Sequence, residues 1–229
     1  MAFTRYAVYF VPPADAPWAR WASNWLGRDI VSGASVAFPD TPDLPLPVST
    51  ITATPRKYGL HATIKPPMRL ANGTTIDALS DALATLCRRR APVLTDGLVL
   101  RAKGQFLALC PTGNLTALNQ LAADSVTELD RFRAPASEAE LTKRRKRCLS
   151  AAQEANLLQW GYPYVLDEFR CHITLTGRLP TEAVGPVTAA LNSMLSPMLP
   201  QPFQMADLAI AGEDRAGQFH LIQRYPLTG

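Results

Sequence analysis

The sequence predicts an α+β fold: a bilobal, pseudo-two-fold duplication with two antiparallel sheets facing a central cleft and helices outside. Three observations predict it. Short apolar stretches with strand alternation interleave with helical periodicity along all 229 residues. A His-x-Thr strand, a helix and a hairpin bearing Gly-Gln-Phe occur in that order twice. The registers agree, because His61 lies 43 residues before Gly104 and His172 lies 45 before Gly217. The offset of 111–113 residues is too long for a solenoid repeat and fits a duplicated half.

Tyr6 to Val11 (YAVYFV) alternates as a first strand, and Trp18, Trp21 and Trp25 are spaced for one face of a short helix. Ala37 to Pro55 is rich in Pro and Thr and reads as an extended loop. Tyr58–Pro67 (YGLHATIKPP) alternates and closes on a double proline, which predicts a strand that stops sharply. Thr74 to Arg90 carries Ile76, Leu79, Leu83 and Leu86 at helical spacing, and Leu98 to Leu109 reads as two strands around Lys103-Gly104. In the second half, Phe169–Pro180 (FRCHITLTGRLP) reads as a strand and Thr181 to Leu195 as a helix. Phe203–Ile210 and Gln218–Tyr225 read as strands. Asn114 to Trp160 has no counterpart in this scheme. There Ser137-x-x-Glu140 is a capping box opening a helix that carries Lys143–Arg147. The expected organisation is one domain, 1–229: a lobe at 37–113, a helical insertion or lid at 114–160, a lobe at 161–229, and 1–36 packed with the sheets.

Composition narrows the function classes. The net charge is +4, but Lys143, Arg144, Arg145, Lys146 and Arg147 carry five positive charges, leaving −1 for the rest of the chain. The basicity is local, which disfavours a nucleic-acid surface. Cys87, Cys110, Cys148 and Cys171 show no C-x-x-C spacing and read as reduced thiols. No segment approaches the roughly 18 apolar residues of a membrane span, and no leader pattern opens the chain. A soluble cytoplasmic protein is the expectation.

In a strand, residues i and i+2 share a face, about 6.6–6.8 Å apart. His61 and Thr63 therefore share one face, as do His172 and Thr174, and a pseudo-two-fold axis brings the faces together. Two imidazoles would flank a phosphorus atom. One removes a proton from water, the other protonates the departing alkoxide, and the hydroxyls bond the phosphoryl oxygens. No metal or other cofactor is expected, because H-x-H and H-x-x-x-H are absent and carboxylates are sparse near both motifs. A single H-x-T is more often a core histidine. Two of only three histidines at matching places in a repeat argue for catalysis. His220 follows the second Gly-Gln-Phe, has no Thr two residues on, and is expected to be structural.

The blocks YGLHATIKPP and WGYPYVLDEFRCHITLTGRLP, with the basic helix between them, resemble the 2H phosphoesterase superfamily, named for paired H-x-[ST] motifs on a duplicated fold. They are most similar to its branch of phosphonate-metabolism proteins encoded beside carbon–phosphorus lyase genes. The resemblance implies catalysis by His61, Thr63, His172 and Thr174 on a cyclic phosphate or an RNA end. The branch implies a phosphorylated ribose carrying a cyclic phosphate.

Supporting positions follow from strand faces. Lys65 would bind a second phosphate or sit solvated at the strand end, with Thr176 its counterpart. Tyr58 would stack on the substrate or pack, and Arg170 shares the His172 face. Lys57, Arg178 and Lys103 are rim candidates. The basic run is a solvated face or an anion-collecting lid, with Trp160, Tyr162 and Tyr164 as its hinge or wall. The expected partner is a small phosphorylated substrate. The rivals are an RNA-end or 2′,3′-cyclic nucleotide phosphodiesterase with 2′–5′ ligase-like activity, which would need a long basic groove, and a non-catalytic nucleotide-binding regulator.

Overall fold

The computed structural model describes residues 2–41, 43–146 and 148–229. Nine strands are described: β1 (Arg5–Phe10), β2 (Ala62–Met68), β3 (Val93–Thr95), β4 (Gly97–Lys103), β5 (Phe106–Thr112), β6 (Ile173–Thr174), β7 (Phe203–Met205), β8 (Asp207–Glu213) and β9 (Phe219–Pro226). The helices are α1 (Pro17–Leu26), α2 (Val48–Ile51), α3 (Ile76–Arg88), α4 (Thr116–Glu128), α5 (Glu138–Arg145), α6 (Ala151–Trp160) and α7 (Thr181–Leu195). The chain is thus α+β with two antiparallel sheets, as expected. A seven-stranded sheet runs β4-β5-β6-β2-β1-β8-β9, and a two-stranded one pairs β3 with β7.

Local signals explain the elements. Helix α1 opens on Pro17 and closes on Gly27, whose φ of 73° suits a residue without Cβ. Thr75 caps α3 by accepting from Ala78 N, and Ser137 and Glu140 form the predicted capping box on α5. Helix α7 spans the predicted residues. The main core lies between one face of the sheet and α1, α3, α4 and α7. Val8, Phe10, Ala62, Ile64, Leu107, Leu109, Ile173, Leu175 and Ile210 supply its sheet side. Trp25 locks α1 to this layer, donating Nε1–H to Leu175 O at 2.9 Å.

The strand order corrects the expected partition. The halves β2-β1-β8 and β6-β5-β4 are equivalent, and they exchange strands. Strand β6, with the second His-x-Thr, pairs with β5 of the first half, and β1 sits between β2 and β8. Residues 37–113 and 161–229 are therefore not the two flanks of the sheet. Residues 1–36 supply a central strand instead of packing against one. The stretch 114–160 also has a counterpart: it joins β5 to β6 as 11–61 joins β1 to β2, with α4 in the place of α1. The Gly-Gln-Phe spacing agreed because each marks the turn after an equivalent strand, β4 or β8.

Three elements differ locally. Strand β2 does not stop at the double proline but runs on to Met68. Pro66 and Pro67 fall where the β1–β2 register slips between Val8 and Tyr6, and the edge beyond β6 is unpaired, so neither missing N–H interrupts a paired position. The second His-x-Thr strand shrinks to Ile173–Thr174, because Leu175 N and Thr176 N both turn to Leu107 O. The loop 37–55 contains the one-turn helix α2.

Candidate active site

The two halves of the large sheet meet through one antiparallel pair, Ala62 with Ile173. These two residues point into the core. Their neighbours His61, Thr63, His172 and Thr174 therefore lie on the opposite face, with His61 towards Thr174 and Thr63 towards His172. The four predicted residues form one constellation on adjacent strands, and all four are partly exposed.

The rings are held alike. His61 Nδ1 lies 3.0 Å from Gly59 O, and His172 Nδ1 lies 2.7 Å from Arg170 O. A carbonyl only accepts, so Nδ1 carries the proton in each ring and Nε2 keeps its lone pair. Thr63 Oγ1 stands 3.1 Å from His61 Nε2 and donates to it. Gly59 has φ +66°, and a Cβ there would lie 2.5 Å from Ile30 Cβ, so the turn that offers this carbonyl requires glycine.

Burial lowers both imidazoles, His61 to about 4, opposed by the bond to Gly59 and reinforced by the charge on His172. His172 is lowered by burial against the bond to Arg170, and Lys103 lowers it further. Both rings are neutral near pH 7.

Aromatic groups flank the rings unequally. Tyr9 stacks on His61 with centroids 3.8 Å apart, Tyr58 approaches its edge at 6.3 Å, and Phe219 lies 5.5 Å from Tyr9 and 5.8 Å from Tyr58. Phe106 lies 5.8 Å from His172. Both Gly-Gln-Phe phenylalanines thus buttress the site. Tyr58 is placed beside it as expected. Tyr9 was missed, and its signal was the strand alternation of β1 combined with a pairing the sequence does not reveal.

Lys65, Thr176 and Arg170 are corrections. The ladder between β1 and β2 slips so that Tyr9 faces Thr63 but Val8 faces Lys65. This bulge turns Lys65 to the helix-covered face, where it is 2% exposed. Its ammonium donates to Val126 O at 2.9 Å and lies 3.7 Å from Asp130. Thr176 is buried and its hydroxyl is committed, accepting from Leu107 N at 2.9 Å and donating to Gly177 O at 2.8 Å. Thr176→Val should lower stability by about 1–3 kcal/mol, because it orphans a buried N–H, and leave catalytic rate intact; urea melts and kinetics on the same samples check both. Arg170 folds onto its own loop, donating to Asp167 O and Phe169 O. Its carbonyl, not its guanidinium, serves the site.

His220 is tied down elsewhere, its Nε2 2.8 Å from Asp214 Oδ2 and its Nδ1 3.4 Å from an Arg28 nitrogen. Arg178 bonds Gln105 on the exposed rim, and Lys57 is exposed. In the basic run, Arg144 lies 4.5 Å over Tyr162, itself 5.8 Å from Tyr164, and Arg145 pairs with Glu154; Arg147 lies outside the described residues. The Trp160 indole N–H is buried with no partner among the described residues. No described helix is long and apolar enough to cross a membrane.

A family model described as "Protein of unknown function (DUF1045)" matches residues 63–220, a span that begins two residues after His61. A protein of Janthinobacterium sp. (strain Marseille), named Ribose 1,5-bisphosphate phosphokinase PhnN, is 37% identical over 234 residues, covering 100% of this chain and 52% of its own length. One of the same name from Laribacter hongkongensis (strain HLHK9) is 35% identical over 216 residues, covering 93% and 49%. The chain spans about half the length of these curated relatives. Among solved structures, E. coli LigT complexed with 3′-AMP is 13% identical with a TM-score of 0.45, and TT0787 of Thermus thermophilus is 14% identical with a TM-score of 0.46. Each alignment covers 98% of both chains.

Proposed function

The chain belongs to the DUF1045 family, and from its paired rings we propose that it is a metal-independent phosphodiesterase that opens a cyclic phosphodiester to a phosphomonoester. The observation that carries this reading is the matched fixing of two imidazoles on adjacent strands. Each Nδ1 is bound to the carbonyl two residues earlier, so each Nε2 carries the lone pair for proton transfer, that of His61 accepting from Thr63 until the hydroxyl turns to substrate. His61, neutral over a wide range, acts as base towards water. His172 acts as acid towards the leaving alkoxide, and the phosphate brought beside it restores its proton. Thr63 and Thr174 bond the non-bridging oxygens, Thr63 by turning its hydroxyl from His61 to the phosphoryl group.

The substrate class within this reading is a phosphorylated ribose bearing a cyclic phosphate. Two observations favour it: the relatives are named for action on ribose 1,5-bisphosphate, and they align with 100% and 93% of this chain. Their kinase name does not carry over. The chain has no G-x-x-x-x-G-K-[ST] loop to cradle a nucleotide's phosphates, and it spans only half of those proteins.

The pH dependence tests the roles. The base must be unprotonated and the acid protonated, so kcat/KM should be bell-shaped. Its acid limb should lie near 4, where His61 gains a proton, and its alkaline limb below 6.5, where His172 loses one. An acid limb at 6.5 or above, measured on cyclic phosphates across both limbs, contradicts the buried base.

A further inference from the structure

We propose that Arg101 and Lys103 form a subsite for a second phosphate of the substrate, on the sheet face that carries His172 and Thr174. The proposal rests on the cyclic phosphodiesterase reading and deepens it. In the half β6-β5-β4, Thr174 pairs with Ala108 and Ala108 with Arg101, so the three form one row across the sheet. Lys103 pairs with Phe106, which packs on His172, and sits on the same face two residues along β4. Ala108 is small, and neighbouring strands lie about 4.7–4.9 Å apart, so an arginine arm reaches across it to the phosphoryl position. Among the described residues neither cation meets a carboxylate within ion-pair distance. The depression of the His172 pKa by Lys103 places that ammonium within electrostatic reach of the ring.

The other half is the comparison. There Thr63 pairs with Tyr9, Tyr9 with Ala209, and Ala7 with Ala211. By the same register, Ala209 and Ala211 occupy the places of Arg101 and Lys103. Both alanines are buried in a small apolar cluster with Tyr9 and Phe219, whereas Arg101 is exposed and Lys103 half-exposed. A site with matched catalytic residues thus has one apolar, aromatic flank and one flank with two cations lacking carboxylate partners. Such a site fits an asymmetric ligand. The uncharged part of the sugar or base lies against Tyr9 and Tyr58, and a second phosphate lies against the guanidinium and ammonium.

The test compares a 2′,3′-cyclic nucleotide with its 5′-phosphorylated form and with a short oligoribonucleotide ending in the same cyclic phosphate. The wild type should prefer the 5′-phosphorylated form by at least tenfold in kcat/KM, and Arg101→Gln/Lys103→Gln should abolish that preference. The ratio is the readout, because a change confined to His172 would move all substrates together. An equal fall on every substrate, or no preference in the wild type, overturns the subsite. A preference confined to the oligonucleotide that the double variant removes assigns the second phosphate to a neighbouring nucleotide and overturns the small-sugar substrate. Pyrophosphate binding followed by calorimetry separates the two levels. Binding lost in the double variant, with no cyclic phosphate turned over by the wild type, sustains the subsite and sinks the reaction.

Discussion

Replacing His172 with alanine should lower kcat/KM on a cyclic phosphodiester by about 10²–10⁴-fold, and His61→Ala should do the same. The two losses do not multiply. Water entry and a misplaced proton disable the same step whichever ring is missing, so the double variant should fall little below the worse single one. Circular dichroism should show all three folded, because each ring's nitrogens bond only to its own strand or loop and the main core lies on the opposite face of the sheet, although His61→Ala also gives up the stacking contact with Tyr9. His220→Gln is the control. It breaks the clasp to Asp214 and leaves kcat/KM within twofold.

Asp130→Ala should destabilise the fold by about 3–5 kcal/mol, since it leaves the Lys65 ammonium buried without its counter-charge. Lys65→Met removes the charge along with the need for a partner. It should be neutral or stabilising, and it should keep the wild-type rate because the bulge places residue 65 on the face opposite the site. Burial lowers the Lys65 pKa to about 8. Between about 8 and the unfolded value near 10.5 the unfolded chain binds the extra proton, so rising pH stabilises the wild type relative to Lys65→Met. Denaturant melts of both proteins across that window should show their stabilities converge from the Lys65→Met side. A rate loss in Lys65→Met matching that of the histidine variants would return Lys65 to the active site.

The contrast between those two predictions marks how far the sequence reaches. His61, Thr63, His172 and Thr174 are legible because a strand's period is local: residues i and i+2 share a face wherever the ladder is regular. Lys65 and Thr176 fail by the same arithmetic, because the ladder slips one residue after Thr63 and the Leu107 carbonyl takes two donors after Ile173. A bulge is decided by the partner strand, which the pattern does not show. The duplication was visible, but its strand exchange was not. Gly-Gln-Phe marks a turn, and the turns after β4 and β8 read alike whether the next strand stays in its own half or crosses. The omission of β1 from the repeat had the same origin, and it hid Tyr9 and left residues 114–160 without a counterpart. Arg170 shows a subtler limit: the residue adjoins His172 as its strand position implies, but the atom that meets the ring is its backbone carbonyl.

The central claim is that two imidazoles on neighbouring strands, His61 neutral and His172 protonated once the phosphate is bound, act as one acid–base pair without a metal. Phosphorus NMR of chelator-treated protein incubated with a 5′-phosphorylated cyclic phosphate tests it most directly. The account predicts that the cyclic diester signal is replaced by that of a monoester in wild type and persists in His172→Ala. Loss of turnover on chelation, or full turnover by His172→Ala, would contradict it.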